Sequence, residues 1–104
     1  LDRNVFGACM VACGHADGMV TGVTRNYATA LDDVLKAIDP APRERVIGMS
    51  IVLMKGRTLF ISDTAVSEFP EPQELAQIVI QSAAMARQLG AVPRVALLSH
   101  STFG

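Results

Sequence analysis

The sequence contains no tryptophan, one tyrosine and two cysteines, and only 18% of its 104 residues are charged. Nucleic-acid-binding surfaces need clustered cations, so a formal net charge of −1 and the scarcity of aromatic side chains argue against a nucleic-acid partner. No stretch approaches the roughly 18 consecutive apolar residues that cross a bilayer, so no membrane-spanning segment is expected. The start of the chain has no signal-peptide pattern and no initiator methionine, which predicts an internal segment of a cytoplasmic protein.

The two cysteines, Cys9 and Cys13, stand four residues apart, and His15 follows just beyond them. On a helix both thiols would share one face, which makes a metal site conceivable, but three side chains do not complete a tetrahedral site. A small core residue is the more common role of a cysteine without a disulfide. We therefore expect neither a metal nor, in a cytoplasmic chain, a disulfide.

Apolar residues are abundant, at half of the chain, with a mean hydropathy of +0.34. The charged share lies below the usual value of about a quarter. Because no segment is long enough to span a membrane, the excess apolar surface predicts contact with a second subunit or a neighbouring domain. The length predicts a single domain over residues 1–104, and we expect it to form a dimer.

Hydrophobic spacing near 3.6 residues and terminal signals predict three helices. Their predicted limits are Asn4 as a cap to Gly14 as a stop, residues 24–26 to Asp39-Pro40, and Pro72 to Gly90. On the second helix, Asp32 and Asp33 are adjacent and diverge, so they are expected on a solvated face and not as an acid/base pair. An Asx-type turn at Asp17 is favoured over a carboxylate at the mouth of a cleft.

Short runs rich in β-branched residues predict four strands, at the end of residues 16–23 and at residues 46–54, 57–63 and 95–98. Lys55-Gly56 joins the middle two as a hairpin, which excludes a purely parallel sheet. The last run lacks polar alternation and suits a strand covered on both faces. The predicted fold class is therefore α/β, with three α/β/α layers around a mixed sheet of about four strands.

Small polar residues follow the last predicted strand, and they include Ser101 and Thr102 before Gly104. Because such strands point their carboxyl ends at ligands, these hydroxyls and their backbone N–H groups could meet a phosphate or a carbonyl oxygen. Arg25, at the entry of the second helix, could help to hold an anion at that helix end. A surface arginine without a ligand fits the same pattern equally well.

Several motifs, in order along nearly the whole chain, resemble the phosphate acetyltransferase family. They are Ala16-Asp17-Gly18-Met19-Val20-Thr21-Gly22, the turn Asp63-Thr64-Ala65-Val66, the helix at residues 73–90, and residues 93–104 with Ser99-His100-Ser101-Thr102-Phe103-Gly104. The resemblance implies that the chain is a fragment of the second domain of that family's two-domain fold. The first domain of that fold would supply the other wall of a coenzyme A cleft.

Within that family, the segments at residues 24–28 and 45–48 are similar to the phosphotransacetylase-like C-terminal domain of large bacterial malic enzymes. Active acetyltransferases usually read Asp-Cys-Ala-Val-Asn where this chain has Asp63-Thr64-Ala65-Val66-Ser67, and His100 departs from both branches. The resemblance to the malic-enzyme branch implies a regulatory and oligomerising domain that responds to acetyl-CoA and is not itself catalytic.

The same resemblance implies a parent protein that oxidises malate to pyruvate and CO2 with NADP or NAD and a divalent metal, Mg or Mn. No cofactor is assigned to residues 1–104 themselves. Carried onto this sequence, the ligand-binding candidates for acetyl-CoA or phosphate are Ser101 and Thr102, with Arg25 and Asp63 as further candidates. The alternative is a catalytic fragment of a phosphate acetyltransferase, which moves acetyl between phosphate and coenzyme A.

Overall fold

The computed structural model of the chain describes residues 2–98. These residues form three helices, α1 (Arg3–Ala12), α2 (Tyr27–Leu35) and α3 (Pro72–Gln88), and two strands, β1 (Met49–Met54) and β2 (Arg57–Ser62). The chain divides into an amino-terminal unit, Leu1–Arg43, and a carboxy-terminal unit, Glu44–Gly104. The three predicted helices and the predicted central hairpin are therefore present, in the predicted order.

The amino-terminal unit pairs α1 with α2 around small residues, since Ala8 and Ala30 are its buried apolar side chains. Gly7 allows Met19 to approach α1, because a Cβ at this position would lie 2.6 Å from the Met19 Sδ atom. Apart from these small side chains the unit has little apolar core. Its polar contacts therefore carry more of its stability than in a domain with a large core.

The predicted limits of the first two helices need correction. Asp2 caps α1, because its Oδ1 atom accepts a hydrogen bond of 2.8 Å from the Asn4 backbone N–H, so the prediction of Asn4 as the cap was wrong. Asn26 caps α2 through a 2.9 Å hydrogen bond from the Thr29 N–H. The second helix ends at Leu35, several residues before the predicted stop, and residues 16–23 contain no strand.

The carboxy-terminal unit is built on the predicted β-hairpin, which is confirmed. Strands β1 and β2 pair in antiparallel register, with Met54 opposite Arg57 at the turn and Met49 opposite Ser62 at the open end. The turn needs a left-handed residue, and Gly56 supplies it with φ of +72°. The first strand begins at Met49, three residues later than expected.

Helix α3 follows the sequence signals closely. Pro72 lies in its first turn, and Glu71 and Glu74 form a reciprocal capping box at its N-terminus. Gly90, with φ of +84°, follows its end as predicted. The helix packs against β2 and buries Ile78 and Ala86, which form the core of this unit.

The predicted sheet is only partly present. The residues described by the structure contain one two-stranded antiparallel sheet, and residues 95–98 form no strand, so the four strands and three layers are not found. A strand exists only where a neighbour completes its hydrogen bonds, and residues 95–98 have no such neighbour here. Leu98 is correspondingly 92% exposed. None of the helices in residues 2–98 is long and apolar enough to cross a membrane.

Candidate functional site

The four predicted ligand-binding residues fall into three places. Ser101 and Thr102 lie outside the described residues. Arg25 belongs to the amino-terminal unit and Asp63 to the carboxy-terminal unit. Each of these two side chains has a defined set of partners within its own unit, and those partners decide what chemistry it can perform.

Asp63 follows β2 directly, after a cis peptide bond from Ser62, and its carboxylate collects backbone N–H groups. The Oδ1 atom accepts hydrogen bonds from Gly48 at 2.9 Å, Ala65 at 3.1 Å and Val66 at 3.2 Å. The Oδ2 atom accepts one from Ser67 at 2.9 Å. Asp63 therefore fastens the loop at residues 64–67 to the residue that precedes β1.

This arrangement favours the ionised form of Asp63. Burial raises its pKa, but the hydrogen bonds from Ala65, Gly48, Val66 and Ser67 together outweigh burial and lower the pKa below its ordinary value. A carboxylate with a lowered pKa and four N–H partners is a poor proton acceptor at neutral pH. Its structural role in the loop is clear, while its role in ligand binding stays a prediction.

Arg25 is held by two carboxylates of its own unit. One guanidinium nitrogen donates a hydrogen bond to Asp2 and another donates one to Asp33, and these two hydrogen bonds raise the pKa of Arg25. The charge that was predicted to attract an anion is thus already compensated. An incoming phosphate would have to displace at least one of these carboxylates, so ligand binding by Arg25 stays a prediction as well.

Asp33 is the buried centre of this cluster, with 4% of its surface exposed. Its carboxylate accepts hydrogen bonds from Arg25, from Lys36 Nζ at 2.8 Å and from Asn4 Nδ2 at 3.4 Å. Hydrogen bonding from Lys36 is the largest cause of its lowered pKa, which burial opposes. The prediction that Asp33 lies on a solvated face was wrong, because α2 turns it towards α1 and three donors.

A groove of about 340 Å³ lies beside Arg25 in the amino-terminal unit. Its lining consists of Thr21, Gly22, Arg25, Tyr27, Ala30, Leu31 and Val34. The loop that enters it is strained, because Val23 has φ of +60° within a tight turn closed by a 2.7 Å bond from the Thr24 N–H to the Gly22 carbonyl. Backbone strain of this kind is more frequent at functional sites than elsewhere.

Arg45 is a connecting residue that the sequence patterns did not indicate. Its guanidinium binds Glu74 in the first turn of α3 and donates a 3.3 Å hydrogen bond to Ser67 Oγ in the Asp63 loop. Its backbone exchanges two hydrogen bonds with the Gln81 side chain, at 3.2 and 3.1 Å. Arg45 thereby joins the Asp63 loop to both the start and the middle of α3.

Substitution of Arg45 by lysine tests this connection. A lysine keeps one positive charge near Glu74 but has no second planar nitrogen for Ser67, so the melting temperature is expected to fall by about 3 °C. Arg57 is an exposed arginine for which the structure describes no ion pair, so Arg57→Lys is the matched control. It should change the melting temperature by less than about 1 °C. Thermal denaturation measures both changes. Equal changes for the two substitutions would contradict the structural role assigned to Arg45.

Acid should destabilise the chain through these carboxylates. The pKa values of Asp2, Asp33, Asp63 and Glu74 are all lowered in the folded state. Their stabilisation is complete above the unfolded-state pKa values of about 4 and is lost as the pH falls through the lower folded-state values. Urea denaturation should therefore give a free energy of unfolding that is nearly constant above about pH 5 and declines steadily towards pH 3. A flat profile over that interval would contradict the assignment of these carboxylates.

The cysteines carry no disulfide, and both thiols are exposed near the end of α1. Within residues 2–98 the structure contains no group of three or more His, Cys, Asp or Glu side chains arranged to hold a metal ion. The Asp2 and Asp33 carboxylates are paired with cations. The Asp63 carboxylate accepts hydrogen bonds from backbone N–H groups. Arg25 in the amino-terminal unit and Asp63 in the carboxy-terminal unit are therefore two separate candidates, each with its partners in its own unit.

Comparison with known proteins places this sequence in a family. The family described as "Phosphate acetyl/butaryl transferase" matches residues 1–104. The chain is 60% identical over 103 residues to an NADP-dependent malic enzyme of Rhizobium meliloti and 47% identical to a probable NADP-dependent malic enzyme of Rickettsia prowazekii. It is also 38% identical over 102 residues to a phosphate acetyltransferase of Nitrosomonas europaea.

These matches cover nearly all of the chain but a small part of each relative. They span 99% of the chain and 14% of the Rhizobium protein, 99% and 13% for the Rickettsia protein, and 97% and 15% for the Nitrosomonas protein. The resemblance that the motifs indicated is confirmed by a match that leaves no residue outside it. The chain belongs to the phosphate acetyl/butaryl transferase family.

Proposed function

We propose that this chain is the regulatory domain of an NADP-dependent malic enzyme, responsive to acetyl-CoA and without acetyl-transfer activity of its own. The observation that carries the proposal is the 60% identity to the Rhizobium malic enzyme, against 38% to the phosphate acetyltransferase of Nitrosomonas. A difference of that size within one family favours the malic-enzyme branch. The departures from the acetyltransferase pattern at Thr64 and Ser67 agree with it.

The partners of Arg25 and Asp63 support a non-catalytic role. Acyl transfer to or from phosphate needs uncompensated cations for the phosphoryl oxygens and a group able to move a proton. Arg25 is already paired with Asp2 and Asp33, and Asp63 already accepts four N–H groups. Both side chains are better suited to holding their loops than to taking part in a reaction.

In the proposed protein, oxidative decarboxylation of malate to pyruvate occurs outside residues 1–104, and the residues that hold NADP or NAD and the Mg or Mn ion lie there too. Acetyl-CoA acts as the effector, and its phosphates or carbonyl meet the hydroxyls of Ser101 and Thr102. The protein acts in the cytoplasm as a dimer. Exposed apolar side chains such as Leu53 support a subunit-facing role for this domain.

Substitution of the two hydroxyl residues tests the proposed effector site in the intact protein. Ser101→Ala combined with Thr102→Val removes two hydrogen-bonding groups, so the acetyl-CoA concentration that gives half of the regulatory effect should rise about tenfold. The rate of malate oxidation without acetyl-CoA should remain unchanged. Thr29→Val, at an exposed threonine on α2, is the control. An unchanged response to acetyl-CoA in the double variant would place the effector elsewhere.

The competing function is catalytic phosphate acetyltransfer, which the family match and the Nitrosomonas relative favour. It predicts formation of acetyl-CoA from acetyl phosphate and coenzyme A by the intact protein. The regulatory proposal predicts no such turnover above the uncatalysed rate. Acetyl-CoA formation that disappears in the Ser101→Ala, Thr102→Val variant would therefore replace the regulatory proposal with the catalytic one.

A further inference from the structure

Phe69 lies in a short segment, residues 68–71, between the Asp63 loop and α3. It is the most exposed aromatic side chain among residues 2–98, with 77% of its surface exposed. A phenylalanine ring is stabilised by leaving water, and it carries no polar group that gains from exposure. Single exposed apolar residues are common on protein surfaces, so the surroundings of this ring must indicate whether it has a partner.

The segment that carries Phe69 is fixed at both of its ends. Before it, the Ser67 N–H donates a 2.9 Å hydrogen bond to Asp63 Oδ2. At its far end, the Glu71 N–H donates a 2.9 Å hydrogen bond to Glu74 Oε2 in the capping box of α3. Because the backbone on each side of the ring is already ordered, little conformational entropy remains to be lost when the ring is buried by a partner.

Two prolines stiffen the same segment. Pro70 restricts the backbone of Phe69 to extended conformations, and Pro72 restricts that of Glu71, which has φ of −64° and ψ of 158°. The ring is therefore presented at a defined place on the surface. Rigid aromatic side chains presented in this way are the residues that most often anchor protein interfaces.

Two carboxylates flank the ring and restrict the chemistry of a partner. Glu68 and Glu71 are both exposed, and none of the ion pairs in the described part of the chain involves either of them. An anionic ligand such as the phosphates of coenzyme A would be repelled here. A complementary surface instead combines an apolar pocket for the ring with cations around its rim.

We propose that Phe69 is an anchor by which the carboxy-terminal unit docks onto another part of the same polypeptide, outside residues 1–104. The ring occupies an apolar pocket there, and the rim of the pocket carries Lys or Arg side chains that face Glu68 and Glu71. The contact needs neither acetyl-CoA nor malate, so it is independent of the regulatory role proposed above.

The size of the contact selects the same polypeptide over a second copy or a separate protein. A buried phenylalanine contributes about 150–250 Å² of surface. Stable association of two separate chains requires about 1,000 Å² or more. A contact as small as one ring persists only where the effective concentration of its partner is high, as within one chain. The chain spans 14% of the length of its Rhizobium relative, so a protein of this kind has other polypeptide to supply the pocket.

Photo-cross-linking of the intact protein tests the proposal. Phe69→p-benzoylphenylalanine keeps an aromatic ring at the anchor, and Lys55→p-benzoylphenylalanine at the exposed hairpin turn is the control. We expect cross-links from position 69 to a Lys- or Arg-containing segment outside residues 1–104, at a yield at least about fivefold above that from position 55. A mixture of isotopically labelled and unlabelled protein, analysed by mass spectrometry, separates links within one chain from links between copies. Links between copies, links to residues 1–104, or equal yields from both positions would each overturn the proposal.

A fluorine probe tests the charge of the pocket with a ring of nearly natural size. With para-fluorophenylalanine at position 69 of the intact protein, the change of the fluorine resonance on transfer to heavy water should be less than about half that of the free amino acid. Glu68→Lys places a cation against the cationic rim, so the change should rise to the value of the free amino acid. Asp17→Lys, the same charge reversal at an exposed position of the amino-terminal unit, should leave it low. A ring that is equally exposed to solvent in all three proteins would contradict docking, and equal responses to the two substitutions would contradict the cationic rim.

Discussion

Replacing Asp63 with alanine is expected to lower the free energy of unfolding by about 2 kcal/mol. The alanine leaves the N–H groups of Gly48, Ala65, Val66 and Ser67 without their acceptor. The loss is smaller than four full charge-assisted hydrogen bonds because water reaches part of this loop. Urea denaturation of the natural and substituted proteins measures the difference.

Two further substitutions separate the hydrogen bonds of Asp63 from its charge. Asp63→Asn keeps the acceptor at Oδ1 but turns an amide N–H towards the Ser67 N–H, so its effect should lie between those of alanine and the natural residue. Glu68→Gln removes a charge from the exposed residue that directly follows this loop and should have almost no effect. If Glu68→Gln were as damaging as Asp63→Ala, net charge and not the N–H contacts would explain the loss.

Replacing Asp33 with alanine should lower the melting temperature by about 5 °C. The substitution removes the common partner of Arg25, Lys36 and Asn4 from a site with little apolar core to replace it. Arg25 retains Asp2, and Lys36 is exposed enough to turn to water, so repulsion between the two cations adds little. The expected effect comes from the lost hydrogen bonds of Asp33 with these three residues.

Asp32 is a matched control for this prediction, because it is the adjacent residue of the same type and is exposed. Asp32→Ala should change the melting temperature by less than about 1 °C. A loss at Asp32 equal to that at Asp33 would mean that helix charge, and not the buried cluster, determines the stability of this unit. Circular dichroism of the two variants side by side gives the comparison.

The elements that the sequence predicted well are those specified by nearby residues. Lys55-Gly56 defines a hairpin turn within two residues, and Pro72, Glu74 and Gly90 define the ends of α3 within one helix. These signals act locally and need no knowledge of distant contacts. The same reasoning failed at residues 95–98, since a strand depends on a neighbour that local sequence does not specify.

The sequence indicated where the candidate residues lie better than it indicated what their side chains contact. Asp63 lies at a strand end, as its motif indicated, but its four N–H partners follow from the path of the loop and not from residue type. The sequence predicts a solvated face for Asp33 because it is adjacent to Asp32 and the two side chains diverge on a helix, while its burial depends on how α2 packs on α1. No sequence pattern indicated the role of Arg45, because its partners Glu74 and Ser67 are 29 and 22 residues away.

Little of the apolar surface of this chain is buried in the described part of the structure. A chain with half of its residues hydrophobic buries only four apolar side chains in the described part of the structure, Ala8, Ala30, Ile78 and Ala86. Apolar surface of this extent is stabilising only when it is covered. A larger polypeptide and a subunit partner, as proposed above, would both reduce it.

The most direct test of the regulatory proposal is malate-dependent reduction of NADP by the intact protein, titrated with acetyl-CoA. We expect malate oxidation whose rate changes with acetyl-CoA in a saturable way, and whose response weakens in the Ser101→Ala, Thr102→Val variant. Malate oxidation that is indifferent to acetyl-CoA, or an intact protein that does not oxidise malate, would contradict it.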